Sequence, residues 1–454
     1  MDMRCEHPRK LLPRTAIPLM GSSLTVLLYS VADSFWIGGL GASSMAAVAA
    51  FFPISVLATA AIGGFTGAGV SLVARASSGD QAHFDSVVNM VVTFCFVLFV
   101  GLVCLVPVLS KPILISIGAE AVLPEALQYA RLMALALLFS AISATFGVIY
   151  RAEGRTRTIG LVGALSALLN AALDPLMIHS FGWGVAGAGW ASVIAAGGGA
   201  AVLAWRTMVT RETRARIMPS LRYFRGPQTA HFRSFLKLGF SLSLSQTLFA
   251  LLIYANNVVV GALRGPDGIA VYSMGLRWIL LILIPSRAFG SAQVPIVAAA
   301  LGGDDYRRVA LAYRNGLAMA VSAESMLALT TFLLAAPISQ LFAWSSESAH
   351  LVDEFIAFFR VITWAVPALA ATTLIEATLT GLGDGRSALM LYALRTALLT
   401  FPAVLLLALV MGGGLTGVWS GIVVGNALTA GAGLVLMHTR LKRMCQVNTV
   451  TDKG

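Results

Sequence analysis

Long apolar stretches alternate along this chain with short polar or basic connections. Each apolar stretch is close to the roughly 20 residues that a helix needs to cross a bilayer. We count twelve such stretches and predict one membrane-spanning helix in each. The predicted spans are centred near residues 27, 58, 98, 138, 168, 194, 249, 284, 323, 365, 399 and 426.

The composition supports a membrane-embedded, all-α protein. The chain is 58% hydrophobic and 11% charged, and its mean hydropathy is +0.84. Soluble domains usually contain about 25% charged residues. Residues 1–14 are too polar for the apolar core of a signal peptide, so we expect no cleaved leader before the first span.

The positions of Lys and Arg predict the orientation of the spans. Of the 31 basic residues, 24 lie before the first span or after an even-numbered one. By the positive-inside rule, both termini then lie in the cytoplasm of a multi-pass plasma (cell inner) membrane protein. The net charge of +11 is therefore a topology signal. Because the basic residues are spread over seven loops, we expect no nucleic-acid partner.

The longest basic segment divides the chain into two halves of six spans each. We predict an N-terminal lobe over residues 1–205, a cytoplasmic linker over 206–237, and a C-terminal lobe with its tail over 238–454. The halves align at three places: residues 33–38 with 256–261, 154–155 with 385–386, and 184–187 with 414–417. Since six is an even number, the repeats are parallel, and transporters built from repeats place their sites near repeat interfaces.

Three polar residues interrupt apolar stretches in the first half, namely Asp33, Asn170 and Asp174. An ionisable group in hydrocarbon costs at least roughly 2.5–3.5 kcal/mol, so it marks an ion or substrate path by default. In the second half Asn256 replaces Asp33, and no acid aligns with Asp174. We therefore expect the buried charge chemistry in the first half alone.

Helix geometry brings these residues to a similar depth. Asp33 and Asp174 lie about 26 Å and 24 Å along their spans from the cytoplasmic ends. Asn170 and Asp174 share a helix face because they are four residues apart. Ser192, early in the sixth span, reaches the same layer. Such a group of oxygens fits either a hard cation or a proton shared between carboxylates.

Three segments resemble the multidrug and toxic compound extrusion (MATE) transporters: ADSFWIGGLG in the first span, RAEGRTRTIGLVGALSALLNAALDPL across the fourth loop and fifth span, and GVAGAGWAS at the start of the sixth. The resemblance implies twelve transmembrane helices in two pseudo-symmetric six-helix lobes. It also implies a first-lobe cation site, a tyrosine that hydrogen-bonds within it, and a proline at which the first helix bends. The matching residues here are Asp33, Asn170, Asp174, Ser192 and the Ala188 carbonyl for the cation, with Tyr29 and Pro18 in the other two roles.

The sequence is more similar to the DinF-type and archaeal branch of this family. Another branch carries a second-lobe cation site with acids in spans seven and ten, whereas span seven here has Asn256 and Asn257. In span ten the acid is Glu376, which we interpret as a residue of the cytoplasmic end. We assign no role to Glu324 in span nine.

The expected function is secondary active antiport. A proton or Na⁺ would flow inward through the first lobe while a small, often cationic, organic compound is exported by a monomer. We expect no other cofactor and no metal site beyond a possible Na⁺ at the same residues. No nucleotide-binding motif occurs, so ATP coupling would need a partner chain.

Two alternatives remain from the sequence. A flippase for lipid-linked precursors would line its cavity with basic residues, for which Arg277, Arg287 and Arg395 are candidates. A membrane enzyme would need clustered His or acidic groups with metal-like spacing, but the six histidines lie mostly in loops. We therefore expect a transporter and not an enzyme.

Overall fold

The computed structural model describes residues 7–38, 40, 42–77, 79–116, 123–210, 212–217, 229–342 and 349–451. Within these ranges, the side chains of residues 22, 25–35, 37, 38, 42–47, 49, 50, 52, 53, 56, 57, 229, 230, 266, 270, 349 and 445–451 lie outside the description. The described residues form helices and contain no β-strand. Two compact units are present: Ile17–Ser243, and Leu244–Gly454 with Arg4–Ala16.

The helices of the first half follow the predicted spans. They are α1 (Pro8–Gly38), α2 (Ala42–Ala76), α3 (Gln81–Ser116), α4 (Leu123–Ala152), α5 (Thr156–Pro175) and α6 (Gly184–Met208). The α5 helix continues as a π-helical turn over Leu176–Ser180. Within the first unit, α4 packs against α2, α3 and α6, and α5 packs against α6.

The second half contains more breaks within its spans. Its helices are α7 (Thr229–Ile282, interrupted at Gly265), α8 (Ile284–Gly302), α9 (Tyr306–Leu333), α10 (Ala335–Phe342), α11 (Val352–Ile362), α12 (Val366–Gly381), α13 (Gly385–Ala393), α14 (Phe401–Leu405) and α15 (Gly414–Thr451). Gly265 has φ +62°, a value that glycine adopts without strain. Pro285 near the start of α8 lacks an N–H, and the chain bends there by 48°.

Among the described residues, nine helices are long and apolar enough to cross a membrane, and the bent pair Asp267–Ile282 and Ile284–Gly302 makes a tenth. The α5 helix illustrates how such a span is built. Leu161, Leu165 and Leu168 form one exposed stripe, with 56%, 56% and 59% of each residue accessible. Asn170 and Asp174 lie on the buried face of the same helix. A helix with this division turns its leucines to lipid and its polar groups to protein.

The internal repeat is visible in two turns that have the same geometry. The fifth predicted span ends in the π-helical turn Leu176–Ser180 and the eleventh in Leu406–Val410. Each turn is followed by two glycines of positive φ: Gly182 and Gly184 at +68° and +53°, then Gly412 and Gly414 at +70° and +54°. A Cβ at Gly187 would meet the Met177 carbonyl, and one at Gly417 would meet the Leu407 carbonyl. The aligned glycines of the sequence therefore occupy equivalent close contacts in both halves.

Candidate functional site

Two of the predicted site residues are in contact on α5. The Asn170 Nδ2 atom donates a hydrogen bond to Asp174 Oδ1 over 3.4 Å. Only 3% of Asn170 and none of Asp174 is accessible to solvent. The Asn170 Oδ1 atom has no hydrogen-bond partner within the part of the chain that the structure describes. A buried amide oxygen without a donor is available to a cation or to a polar group of a ligand.

A cavity of about 390 Å³ lies beside this pair, inside the first unit. It is lined by residues of α4, α5 and α6. Asn170 and Ser192 both line it, so that the cavity and the predicted ion site share residues. Other lining residues with polar side chains are Ser140, Ser143, Arg151 and Ser166. The volume falls in the usual range for small-molecule sites, roughly 300–1,000 Å³.

The remaining described site residues lie on neighbouring helices. Ser192 is half-buried, and Ala188, one turn earlier on α6, is 1% accessible. Within an α-helix the Ala188 carbonyl accepts the amide of residue 192, so a cation would use its second lone pair. Pro18 is half-buried, and its carbonyl oxygen lies against Gly160 of α5, only 2.6 Å from where a Cβ would be. The predicted bending point of α1 therefore touches the helix that carries Asn170.

The side chains of Tyr29 and Asp33 lie outside the described residues. Their predicted roles, and the predicted approach of Asp33 to Asp174, stay predictions. No group of three or more His, Cys, Asp or Glu that could hold a metal ion occurs among the described residues.

Arg151 is a cavity-lining residue that the sequence analysis did not identify. Its Nε atom donates to the Gly147 carbonyl, one turn earlier on α4, over 3.2 Å. A Cβ at Gly147 would lie 3.5 Å from one guanidinium nitrogen, which is an ordinary van der Waals contact. In the sequence, Arg151 belongs to the basic RAEGR segment, which was interpreted as a topology signal alone.

A short segment of the linker, residues 212–217, packs against apolar side chains that line part of the cavity. Ile217 belongs to an apolar cluster with Ile159, Val162 and Leu203, all of which line the cavity. Two side chains of α3 and that of Glu153, which directly follows α4, form hydrogen bonds with the backbone of this segment. Their hydrogen bonds are Arg214 N to Glu153 Oε1 at 2.8 Å, Arg216 N to Asp85 Oδ1 at 3.0 Å, and Asn89 Nδ2 to the Arg216 carbonyl at 2.8 Å.

The second unit contains buried charges as well, which corrects the expectation that they would be confined to the first half. Glu324 is fully buried, and Glu376 and Arg395 are 8% and 4% accessible. Glu376 forms an ion pair with Arg395 over 3.7 Å, and the Arg395 guanidinium lies 4.5 Å from the centre of the Tyr392 ring. Glu376 is thus not a residue of the solvated helix end. Its distance from the loop along the sequence did not show which face of α12 it occupies.

Glu324 has a structural role at the break in the eighth predicted span. Its Oε1 atom accepts the backbone N–H of Ser286 over 2.8 Å, in the first turn of α8. The bend at Pro285 leaves that N–H without a helical partner, and a carboxylate at a helix N-terminus also opposes the helix dipole. Arg287 interacts electrostatically with Glu324 and Arg395. A Pro in the middle of a predicted span, with an otherwise unexplained acid in the next span, is the sequence signal for this contact.

Comparison with known proteins identifies the family of this architecture. The MatE family model matches residues 18–176 and 242–406, one segment in each half of the chain. A relative from Shewanella oneidensis named "FAD transporter" is 23% identical over 87% of this chain and 86% of its own length. A relative from Thermotoga maritima named "Probable multidrug resistance protein NorM" is 23% identical over 91% of this chain and 89% of its own length.

Solved structures agree over nearly the whole chain. One is described as the outward-facing conformation of a multidrug resistance MATE family transporter of the MOP superfamily. It is 27% identical, has a TM-score of 0.90, and covers 98% of each chain. A MOP superfamily transporter from Pyrococcus furiosus, described as having a binding pocket of reversed polarity, is 26% identical with a TM-score of 0.92 over 97% of each chain. The predicted fold of twelve transmembrane helices in two pseudo-symmetric six-helix lobes is confirmed.

Proposed function

The chain belongs to the MATE family of membrane transporters, and we propose that it is a secondary active antiporter that exports organic compounds in exchange for H⁺ or Na⁺. The coupling site would consist of Asp33, Asn170, Asp174 and Ser192, with the Ala188 carbonyl and Tyr29. The two transport lobes would be residues 1–205 and 238–454, joined by the 206–237 linker. Both termini would be cytoplasmic in the plasma membrane, and the protein would act as a monomer.

The observation that carries this proposal is the sharing of residues between the cavity and the ion site. Asn170 lines the cavity and hydrogen-bonds to Asp174, and Ser192 lines the same cavity from α6. A compound that uses the Asn170 amide or the Ser192 hydroxyl competes with an ion that needs the same oxygens. Mutually exclusive binding of this kind is what an antiporter requires, because each ligand must shift the protein toward a different state.

Asp33 would convert ion binding into movement of α1. When ionised, it needs a cation or a donor such as Tyr29, and when neutral it can move deeper into the lobe. Pro18 lacks an N–H and so weakens α1 at the place where that helix rests on Gly160. A differential stability of a few kcal/mol would be enough to shift such a two-state element.

The test is gradient-driven efflux of a fluorescent dye from proteoliposomes, with H⁺ and Na⁺ gradients imposed separately. Asp33→Asn should abolish efflux and leave the amount of folded protein unchanged. Asp304→Asn is the matched control, because Asp304 is an exposed loop residue with φ +55°, which Asn tolerates. Efflux by Asp33→Asn at the wild-type rate, with the same gradient dependence, would show that the mechanism is wrong.

A lipid-linked precursor flippase is the alternative that the arginines of the second half suggested. Arg395 is paired with Glu376, so this guanidinium already has an acidic partner, and Glu324 interacts electrostatically with Arg287. We therefore favour antiport. The relative named "FAD transporter" nevertheless suggests cargo other than drugs.

A further inference from the structure

We propose that Arg151 binds an anionic oxygen, a carboxylate or a phosphate, of the exported compound. The inference rests on the proposed function, because it assigns a substrate class to the same cavity. It changes the expected cargo from a simple organic cation to a compound that carries at least one negative group.

The first argument is that Arg151 has no acidic partner among the residues that the structure describes. It is half-buried at the end of α4, and the one hydrogen bond of its side chain within the described ranges goes from Nε to the Gly147 carbonyl. A guanidinium has five N–H donors, so four of them remain for a ligand. Burial of a charge that has no counter-ion is costly, and an anionic ligand removes that cost.

The second argument is that two acids of the adjoining loop and linker, Glu153 and Glu212, have other partners. Glu153 forms an ion pair with Arg155 over 3.2 Å and accepts the Arg214 amide over 2.8 Å. Glu212 forms an ion pair with Arg206 over 3.1 Å and accepts the Thr158 hydroxyl over 2.8 Å. Neither carboxylate has an ion pair or hydrogen bond with Arg151. The positive charge of Arg151 is therefore available to a ligand in the cavity.

The third argument comes from the rest of the cavity wall. Among the residues that line it, Arg151 is the one with a formal charge, and the other polar groups are serine hydroxyls and the Asn170 amide. Hydroxyls and amides orient a ligand without repelling an anion. A planar guanidinium can bind a carboxylate or phosphate with two parallel hydrogen bonds.

The geometry also limits the shape of the compound. Ile159 lies at the Arg151 end, in one apolar cluster with Tyr150, and Asn170 lies eleven residues further along α5. At 1.5 Å per residue this separation is about 16 Å. The cavity volume of about 390 Å³ suits one drug-sized molecule. A compound with its negative group at Arg151 and a polar or basic group near Asn170 would fill it.

The experiment measures equilibrium binding to the purified full-length protein in phosphatidylcholine nanodiscs, without any gradient. The probes are two pairs that differ only in an anionic group: riboflavin 5′-phosphate with riboflavin, and 2-naphthoate with its methyl ester. In at least one pair the anion should bind the wild type about 10- to 100-fold more tightly than its neutral partner. If neither anion binds more tightly than its partner, the proposal is wrong.

Substitutions of Arg151 test whether its guanidinium causes the preference for the anion. Arg151→Ala should remove the preference for the anion, so that the two members of a pair bind with similar affinity. Arg151→Lys should keep part of it, because an ammonium retains the charge but not the bidentate geometry. Arg157→Ala, which removes an exposed arginine at the start of α5, should keep all of it. An undiminished preference in folded Arg151→Ala protein would overturn the proposal.

A lipid phosphate could satisfy the same guanidinium, so the binding is repeated in phosphatidylglycerol nanodiscs. An unchanged anion preference supports the assignment to cargo. Its loss in the wild type would show that lipid occupies Arg151 and would overturn that assignment. Because no transport is measured, the result is separable from the coupling mechanism: normal efflux by Asp33→Asn would reject the antiport proposal while leaving the anion preference intact.

Discussion

The two units compensate the charge of an arginine in different ways. In the second unit, Arg395 is enclosed with Glu376 and lies over Tyr392, so that its charge is compensated within the protein. In the first unit, Arg151 lines a cavity and has a backbone carbonyl as its described partner. The difference indicates that the second unit uses its charges for packing and helix capping, whereas the first leaves charge and hydrogen-bonding capacity for ligands.

Two acids at equivalent positions in the two halves also differ, in the direction in which their pKa values are shifted. Glu153 and Asp384 each precede the Gly–Arg pair that the two halves share. Burial raises the pKa of Glu153, and hydrogen bonds from the Arg214 and Ala215 amides only partly oppose this. Burial also acts to raise the pKa of Asp384, but hydrogen bonds from Ser387 and the charge of Arg440 outweigh it and lower that pKa. One acid is thus destabilised in its charged form and the other stabilised.

Neutralising one buried acid in each unit tests most directly whether the two units differ in ion coupling. Asp174→Asn should reduce gradient-driven efflux to the level of protein-free liposomes, because it removes a charge from the proposed ion site. Glu376→Gln should leave the gradient dependence of efflux intact, since Glu376 balances Arg395. Proteoliposome efflux at matched protein amounts measures both. Equal losses of coupling in the two variants would mean that the units share the ion chemistry.

The next effect concerns stability. Arg395→Ala leaves Glu376 buried without a counter-ion and should cost about 3–5 kcal/mol, whereas replacing both residues by apolar ones should be close to neutral. Arg151→Ala should cost less than about 1 kcal/mol, because no acid in the described part of the chain is paired with it. Thermal unfolding of the purified variants gives the order. A larger loss for Arg151→Ala than for Arg395→Ala would reverse the interpretation of the two arginines.

Asp384→Ala should have a smaller effect that depends on pH. Asp384 caps α13 by accepting the Ser387 amide over 3.1 Å, and it pairs with Arg440. Loss of such a cap costs about 1 kcal/mol. Because the pKa of Asp384 is lowered by folding, its contribution is complete above the ordinary Asp pKa and disappears as the pH falls through the lowered value. The difference in free energy of unfolding between wild type and variant should therefore be larger at pH 7 than near pH 3. Equal differences at the two pH values would contradict this role of Asp384.

Glu153→Gln should give the smallest change. The raised pKa means that folding favours the protonated carboxyl of Glu153. Burial of the charged form therefore lowers the stability of the fold at pH values above that pKa, and this loss of stability is relieved as the pH falls through it. The variant should be within about 0.5 kcal/mol of wild type at pH 7. Hydrogen exchange of the Arg214 amide should slow with falling pH, after correction for intrinsic exchange, in wild type but not in the variant. The same pH response in both would exclude Glu153 as its origin.

Much of the fold followed from pattern alone. The lengths of the apolar stretches predicted the spans, and the i, i+4 spacing predicted that Asn170 and Asp174 would meet. The aligned glycines predicted the repeat, because a positive φ and a close backbone approach both exclude most side chains. These features depend on local geometry, which the sequence encodes directly.

The charge pairing could not be predicted in the same way. Glu376 and Arg395 lie on different spans. The packing of α12 beside α13, which continues into the π-helical segment Leu394–Thr400 that carries Arg395, brings them together. The sequence did not single out Arg151 as a ligand-binding residue, because the positive-inside rule already accounts for the basic residues around it. Glu324 had no partner in the repeat, so its contact with Ser286 became apparent only when the break in the preceding span was located.

The duplicated turn at Gly187 and Gly417 has a consequence for how such a protein can evolve. Its shape depends on backbone meeting backbone, at Met177 in one half and Leu407 in the other, and the side chains around it contribute little to that contact. After a gene duplication, each copy could therefore exchange its polar residues without losing its architecture. The aligned positions 33 and 256 differ in this way, because the first half has an acid, Asp33, where the second has an amide, Asn256.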